Sequence, residues 1–295
     1  MPWLQLTLTT DREQAPTIEA LFEGLGALSV TYGDAGEPPL LEPAPGEARL
    51  WSRNRITALF DAQRDPDLLR AALHNALPET QAQSLELQTL EDQVWERAWL
   101  DDFHPMRFGD RLWVCPAGQR PQQEDAVVLD LDPGLAFGTG THPTTALCLQ
   151  WLDGAELIGK RVLDYGCGSG ILAIAAALLG AESVAAVDYD PQALAATQDN
   201  AAKNRVQERI TPLLPEQTPD RAFDIVLANI LAGTLVELAP ELQPRVAPGG
   251  HLLLSGILAE QAEQVAAAYR ELFDLDPPLL QDEWVLLHGC RREGC

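Results

Sequence analysis

What this 295-residue sequence has least of is positive charge: 20 Lys and Arg stand against 44 Asp and Glu, a formal net charge of −24 at pH 7. No basic run breaks the pattern. A nucleic-acid backbone would be repelled by such a surface, so direct nucleic-acid binding is not expected. The balance favours a small molecule or a basic protein as partner, and it also aids solubility. Cysteine is sparse as well. Cys115, Cys148, Cys167, Cys290 and Cys295 form no close Cys-x-x-Cys pair and join no His cluster, so no metal site is expected. Scattered free thiols fit a reducing cytosol. Long apolar runs are missing. The most apolar stretch, Ile171 to Ala181, is about half of the roughly 20 residues a membrane span needs, and reads as a buried helix. The opening Met1-Pro2-Trp3-Leu4-Gln5-Leu6 lacks the basic region and long apolar stretch of a secretory signal. A cytoplasmic chain that stays off membranes is the expectation.

What is present suffices for two domains. The apolar fraction of 46% can bury a large core, and the length exceeds what one compact domain needs. Residues 1–90 read as a small α+β unit. Trp3 to Thr9 alternates apolar and polar like a half-buried strand. Asp11 to Leu25 has helical spacing through Ile18, Leu21, Phe22 and Leu25, and Gly26 supplies a stop. Ala27 to Tyr32 is a strand, Gly33 to Gly46 a loop rich in Gly, Pro and Glu, and Arg49 to Phe60 a strand. Pro66 to Leu77 is a helix and Ser84 to Leu90 a strand. The order βαββαβ points to a ferredoxin-like split sandwich. Residues 91–106 read as a linker, with a helix over Glu91 to Phe103. Residues 107–295 form the second domain, entered through strands at Arg107 to Pro116 and Val127 to Leu131.

From Pro143 onward helix and strand alternate, which implies a parallel sheet covered on both faces, an α/β Rossmann-like domain. Expected helices are Thr144 to Trp151, Ile171 to Leu179, Pro191 to Asn204, Leu235 to Val246 and Ala259 to Leu272. Expected strands are Arg161 to Asp164, Ser183 to Asp188, Phe223 to Asn229, His251 to Ser255 and Trp284 to Gly289. Ligands of such sheets bind at the carboxyl ends of the strands.

One turn there has a chemical signature. The first of these strands runs into Asp164-Tyr165-Gly166-Cys167-Gly168-Ser169-Gly170 and then a helix. Glycines let backbone approach a ligand closely. A nicotinamide-binding turn would space them G-x-G-x-x-G; here the pattern is D-x-G-x-G-x-G. It resembles the first loop of Rossmann-like methyltransferases, in which the methionine end of S-adenosylmethionine lies over the glycines. Asp188, ending the next strand, can accept both hydroxyl hydrogens of a ribose. Asp190 is a weaker candidate for that role and a better one for a helix cap. The strand ending at Asn229 places a neutral polar side chain facing a methyl donor. Methyltransferases of amide or adenine nitrogens commonly carry N/D-P-P-Y there, whereas this chain has Asn229-Ile230-Leu231-Ala232, which disfavours a planar substrate.

The run Asp132-Pro133-Gly134-Leu135-Ala136-Phe137-Gly138-Thr139-Gly140-Thr141-His142-Pro143-Thr144-Thr145 closely resembles the signature of the bacterial methyltransferases that modify large-subunit ribosomal protein L11. The resemblance continues through Gly166 to Ala176, Ala228 to Ala232, Ser255 to Leu258 and Glu283-Trp284. It implies cofactor contacts at Thr145, Gly166, Asp188 and Asn229, and an N-terminal domain that recognises the ribosomal protein. Gly168 belongs to the same turn. The implied reaction moves methyl groups from S-adenosylmethionine to lysine side chains and the N-terminal α-amine of L11, with Asn229 orienting the amine. Phe137 can pack on cofactor or substrate or in the core. His142 beside a Gly-rich loop reads as structural more readily than as a general base. Three readings compete: methylation of RNA or a small amine, a nicotinamide dehydrogenase, and a non-enzymatic ribosome-assembly factor. Charge opposes an RNA substrate, glycine spacing the dehydrogenase, and the intact acid, glycine and amide positions the assembly factor.

Overall fold

The computed structural model describes residues 3–35, 52–61, 64–78, 81, 84–90, 104–116, 118–131 and 142–293. The chain divides into two compact units, residues 1–98 and 99–295. The first is built of β1 (Trp3–Asp11), α1 (Ala15–Gly24), β2 (Ser29–Asp34), β3 (Arg53–Asp61), α2 (Pro66–Ala76) and β4 (Glu86–Leu90). Its antiparallel sheet has the order β2-β3-β1-β4, the ferredoxin-like arrangement. Alternation in β1 sends Leu4, Leu6 and Leu8 inward, where they meet Ile56, Phe60 and Phe22. Asp65 caps α2 by accepting the N–H groups of Asp67 and Leu68, and Pro66 occupies the first turn.

The second unit opens with a three-stranded sheet, β5 (Met106–Phe108), β6 (Leu112–Cys115) and β7 (Val127–Asp130). The rest alternates: α3 (Pro143–Gly154), β8 (Arg161–Tyr165), α4 (Ile171–Leu178), β9 (Ser183–Val187), α5 (Pro191–Lys203), β10 (Ile210–Leu213), β11 (Phe223–Asn229), α6 (Ala232–Glu237), α7 (Ala239–Leu242), β12 (Val246–Leu258), α8 (Ala262–Tyr269), β13 (Phe273–Leu275), β14 (Leu279–Gln281) and β15 (Trp284–Arg291). The strands make an 8-stranded sheet of order β10-β9-β8-β11-β12-β15-β13, with β14 beside β15. Neighbours from β10 to β12 are parallel, and β15 runs antiparallel to β12. Both faces are covered. One core gathers α3 and α4 on the sheet, the other α6 and α8. This explains why β8 and β11 are continuous apolar runs rather than alternating ones. It also explains α4, buried along almost its whole length as its composition demands. Among the described residues no helix is long and apolar enough to cross a membrane.

Several boundaries differ from the sequence reading, each for a local reason. Asp11 extends β1, so α1 begins only at Ala15. The single strand expected over Arg107 to Pro116 is a hairpin, because Gly109 turns the chain at φ +74. The helix expected over Leu235 to Val246 breaks into α6, α7 and a 3₁₀ turn at Gln243–Arg245, since Pro240 and Pro244 interrupt it. The strand expected over His251 to Ser255 runs from Val246 to Leu258 through a register shift. β10, β13 and β14 were not anticipated. Most of the expected Gly33–Gly46 loop, the linker helix over Glu91 to Phe103, and residues 132–141 including Phe137 lie outside the described residues.

The hairpin is pinned to the end of α3 by one side chain. The buried Asp153 carboxylate accepts the backbone N–H groups of Asp110, Arg111 and Leu112. Removing it strands those donors. Asp153→Ala should therefore lower the stability of this unit by about 2 kcal/mol, read as a shifted urea transition. An unshifted transition would remove the pinning role.

Candidate active site

The sheet reverses its winding between β8 and β11, and a cavity of about 1220 Å³ opens at their carboxyl ends. Gly166, Gly168 and Gly170 form its floor turn with φ +83, +53 and +78. A Cβ at Gly166 would stand 2.3 Å from Ile230 Cγ2, so any other residue must push that side chain aside, in a backbone conformation that itself favours glycine. The turn is tied down from the neighbouring strand, where Val187 O accepts from Gly166 N at 2.7 Å and Cys167 N at 3.0 Å. From α5, Thr197 Oγ1 donates to Gly168 O at 3.0 Å and Asn200 Nδ2 to Ser169 O at 2.9 Å. The sequence reading missed these two residues. Their signal is a pair of polar side chains on the face of α5 that buries Ala193 and Ala201.

Asp188 follows the last residue of β9 and lines the cavity. Its Oδ2 accepts from Gly168 N at 2.9 Å and its Oδ1 from Asp190 N at 3.0 Å. A carboxylate has about four acceptor positions, so two remain for a ligand. Asp190 caps α5 through Gln192 N at 2.9 Å, the alternative its sequence position allowed. Tyr189 between them is 84% exposed at the cavity.

Across the switch point, Asn229 ends β11 and also lines the cavity. Its Nδ2 donates to Thr145 Oγ1 at 3.3 Å. One of the two amide N–H groups is thereby engaged within the protein, and the carbonyl oxygen is available to accept. Thr145 lies in the first turn of the 12-residue α3, buried at the cavity wall. His142 caps that helix. Its Nδ1 meets Thr144 Oγ1 at 2.8 Å and Thr144 N at 3.4 Å, and its ring sits edge-on to Trp284 at 4.8 Å. The nitrogen facing α3 is thus used in capping, which supports the structural reading of His142. Ser255, fully buried at the end of β12, donates to Thr144 O at 3.2 Å and so fixes the start of α3 against the sheet. Nothing in the sequence marked Ser255 beyond its place in the resemblance. The same holds for Trp284, which lines the cavity from β15.

Beneath the turn, Asp164 is 1% exposed. Its Oδ2 accepts from Ala173 N at 3.0 Å, while its Oδ1 is buried with no hydrogen-bond partner. Burial pushes its pKa up to about 7; the Ala173 N–H opposes that rise and the Asp188 charge adds to it. Burial likewise raises the Cys167 thiol far above its usual range, so it is an inert packing group. Among the described residues no group of His, Cys, Asp and Glu could hold a metal.

A glycine turn, a strand-end acid and a strand-end amide around the switch point of a parallel sheet define a Rossmann-like methyltransferase. The profile of the family described as ribosomal protein L11 methyltransferase (PrmA) matches residues 2–292. A ribosomal protein L11 methyltransferase of Methylococcus capsulatus is 55% identical over 98% of this chain and 99% of its own length. One of Hahella chejuensis is 52% identical over 99% of each. The crystal structure of a ribosomal protein L11 methylase from Lactobacillus delbrueckii subsp. bulgaricus, 34% identical, covers 65% of this chain and 100% of its own with a TM-score of 0.60. The chain belongs to the ribosomal protein L11 methyltransferase family.

The raised Asp164 pKa has a consequence for stability. Folded Asp164 holds its proton up to about pH 7, whereas the unfolded carboxyl loses it near 3.8. Between those values the native state binds more protons, so this contribution is complete below the lower value and is lost as pH rises to the upper one. Compared with Asp164→Asn, the wild type should lose stability at about 1.4 kcal/mol per pH unit at most, levelling off near pH 7. Parallel urea titrations from pH 5 to pH 8 check this; a constant difference would refute it.

Proposed function

We propose that the chain transfers methyl groups from S-adenosylmethionine to amino groups of ribosomal protein L11, its lysine side chains and N-terminal α-amine, in the cytoplasm. The observation that carries this reading is a single cavity with a part-engaged acid on one side and a neutral, pre-turned amide on the other.

The residues suit the cofactor. The two free acceptor positions of Asp188 match the two hydroxyls of a ribose and disfavour a 2′-phosphate. Gly166 and Gly168 give backbone contact to the methionine end. The Thr145 hydroxyl, at the N-terminus of α3, suits that end's carboxylate, which the helix dipole also favours. The buried Asp164 below the turn, with an unpartnered oxygen, is the kind of group retained beneath a polar ligand. The bound cofactor supplies an electrophilic methyl on sulfur.

The chain's own residues must present a neutral amine in line with it. A free lysine has a pKa of about 10.4, so deprotonation at pH 7 costs roughly 4.6 kcal/mol; an α-amine near 8 costs about 1 kcal/mol. A carboxylate beside the amine would stabilise the charged form and raise that cost. The Asn229 carbonyl accepts an N–H without doing so, and aims the lone pair. Ile230 and Leu231, next to it on the cavity wall, desolvate the amine and favour its uncharged form. Positioning then supplies much of the acceleration. Docking of the protein substrate as a whole is assigned to residues 1–90, and presentation of the reacting amine and catalysis to residues 107–295. An acidic chain draws in a basic ribosomal protein.

The deciding experiment mixes pure protein, labelled S-adenosylmethionine and ribosomal proteins, and identifies the labelled residue by mass spectrometry. Asp188→Ala should weaken binding of S-adenosylhomocysteine about 100-fold or more by calorimetry, the two hydroxyl hydrogen bonds each contributing about 1.5 kcal/mol. Asn229→Ala should weaken that affinity much less than Asp188→Ala does while cutting kcat by about 100-fold. Intact turnover in Asn229→Ala would end the orienting role. The association rate with L11 should fall steeply with added salt; a flat response would remove electrostatic steering.

A further inference from the structure

The site accounts for the carboxyl ends of the parallel strands but not for the sheet edge beside them. β14 pairs with β15, and among the described residues nothing pairs with its other side. The turn between the two strands is Asp282-Glu283, with Asp282 at φ 54. A two-residue turn closes on a pair that exchanges both hydrogen bonds, here Gln281 and Trp284. Leu280, opposite Val285, is then at a non-hydrogen-bonded position, and its N–H and C=O point away from the sheet. Leu279 and Leu280 project to opposite faces and are 49% and 62% exposed.

Open backbone groups flanked by apolar side chains on both faces are a template for another strand. Edges are commonly blunted by lysine. Lysine is absent here, for residues 271–290 contain Glu271, Asp274, Asp276, Asp282 and Glu283 but no Lys or Arg; the edge is limited instead by its three-residue length and by Pro277 and Pro278 before it. Asp274 and Asp276 are engaged by Arg292 and His288. Asp282 and Glu283, exposed at the turn, have no ion-pair partner among the described residues. That turn adjoins the cavity: Ala259 N donates to Glu283 O at 2.9 Å, and Trp284 lines the cavity wall. A strand added to β14 would lie two strand spacings from β15, roughly 10 Å, within reach of a short extended chain entering the cavity.

We propose that the β14 edge captures an extended, lysine-bearing segment of the protein substrate as an added strand, and so delivers its amine to the cavity. The proposal rests on the methyl-transfer reading above. A second copy of this chain suits the edge poorly: paired antiparallel about Leu280 it would set Asp282 and Glu283 opposite Pro278 and Pro277, which carry neither a balancing charge nor an N–H to donate. A basic segment meets them with opposite charge, and its apolar residues cover the two leucines.

The test is steady-state kinetics with purified L11 and labelled S-adenosylmethionine. In Leu279→Lys/Leu280→Lys the KM for L11 should rise at least tenfold, with kcat within twofold and S-adenosylhomocysteine affinity unchanged. In the milder Asp282→Asn/Glu283→Gln the KM should rise about threefold or more, and its salt dependence should shrink. An unchanged KM in folded double variants overturns the edge alone, leaving methyl transfer standing. Absence of labelling by the wild type overturns both readings. A wild-type dimer that the lysine variant dissolves would assign the edge to self-association and overturn the capture of substrate.

Discussion

Ile230 occupies a point where three strand ends leave no spare volume. A Cβ on Gly166, at the end of β8, would collide with its side chain, and a Cβ on Gly256, at the end of β12, would stand 2.2 Å from its carbonyl oxygen. Its own N–H is held by Ser255 O at 3.2 Å. Both glycines have positive φ, so the close approach and the turn are satisfied by the same residue type. Because Ile230 directly follows Asn229, this packing dictates where the amide emerges into the cavity. The glycine turn and the candidate amine-orienting residue are therefore placed by one contact, not by two separate parts of the fold.

The polar groups of the cavity are held in a similar way. Two backbone N–H groups orient Asp188, Thr145 orients Asn229, and Ser255 seats the helix that carries Thr145. Each side chain spends one part of its hydrogen-bonding capacity on the protein and keeps another for a ligand. Groups fixed before a ligand arrives need no reorganisation when it reacts, which is the arrangement that lowers barriers. Loss of a member such as Ser255 would act through the position of α3, since Ser255 is not itself a wall of the cavity.

How much of this was legible in the sequence depends on the range of the interaction involved. The Gly166 to Gly170 turn, the helix starts at Pro66 and Pro191 and the Asp190 cap are local, and the structure places each where the residues said. Alternation in β1 and the apolar run of α4 likewise identified the buried faces. The hairpin at Gly109 and the broken helix at Pro240 and Pro244 carried local signals that were outweighed by the apolar residues on either side of them. The roles of Thr197, Asn200 and Ser255 were not legible, because their partners lie 29, 31 and 111 positions away. β14 escaped for another reason: with leucines exposed on both faces it has neither the alternation of a half-buried strand nor the burial of a central one.

Charge works here on two length scales, and keeping them apart resolves an apparent conflict. A net charge of −24 would seem to stabilise the ammonium form of any amine that approaches, which is the unreactive form. Screening at physiological salt reduces distant surface charges beyond about 8 Å, so the bulk of those acids can attract a basic protein without setting the protonation of one amine. What sets it is the immediate wall. Beside Asn229 that wall is Ile230 and Leu231, and the polar group is an amide with its N–H₂ end turned to Thr145. The acid nearest in role, Asp188, has its negative charge partly balanced by two backbone N–H groups. An aspartate at position 229 would bring the long-range sign into the short-range site, holding the amine as ammonium at the place where a free lone pair is needed. An amide at the end of β11 is therefore compatible, under the proposed orienting role of Asn229, with an acidic chain that collects a basic substrate and still presents it uncharged.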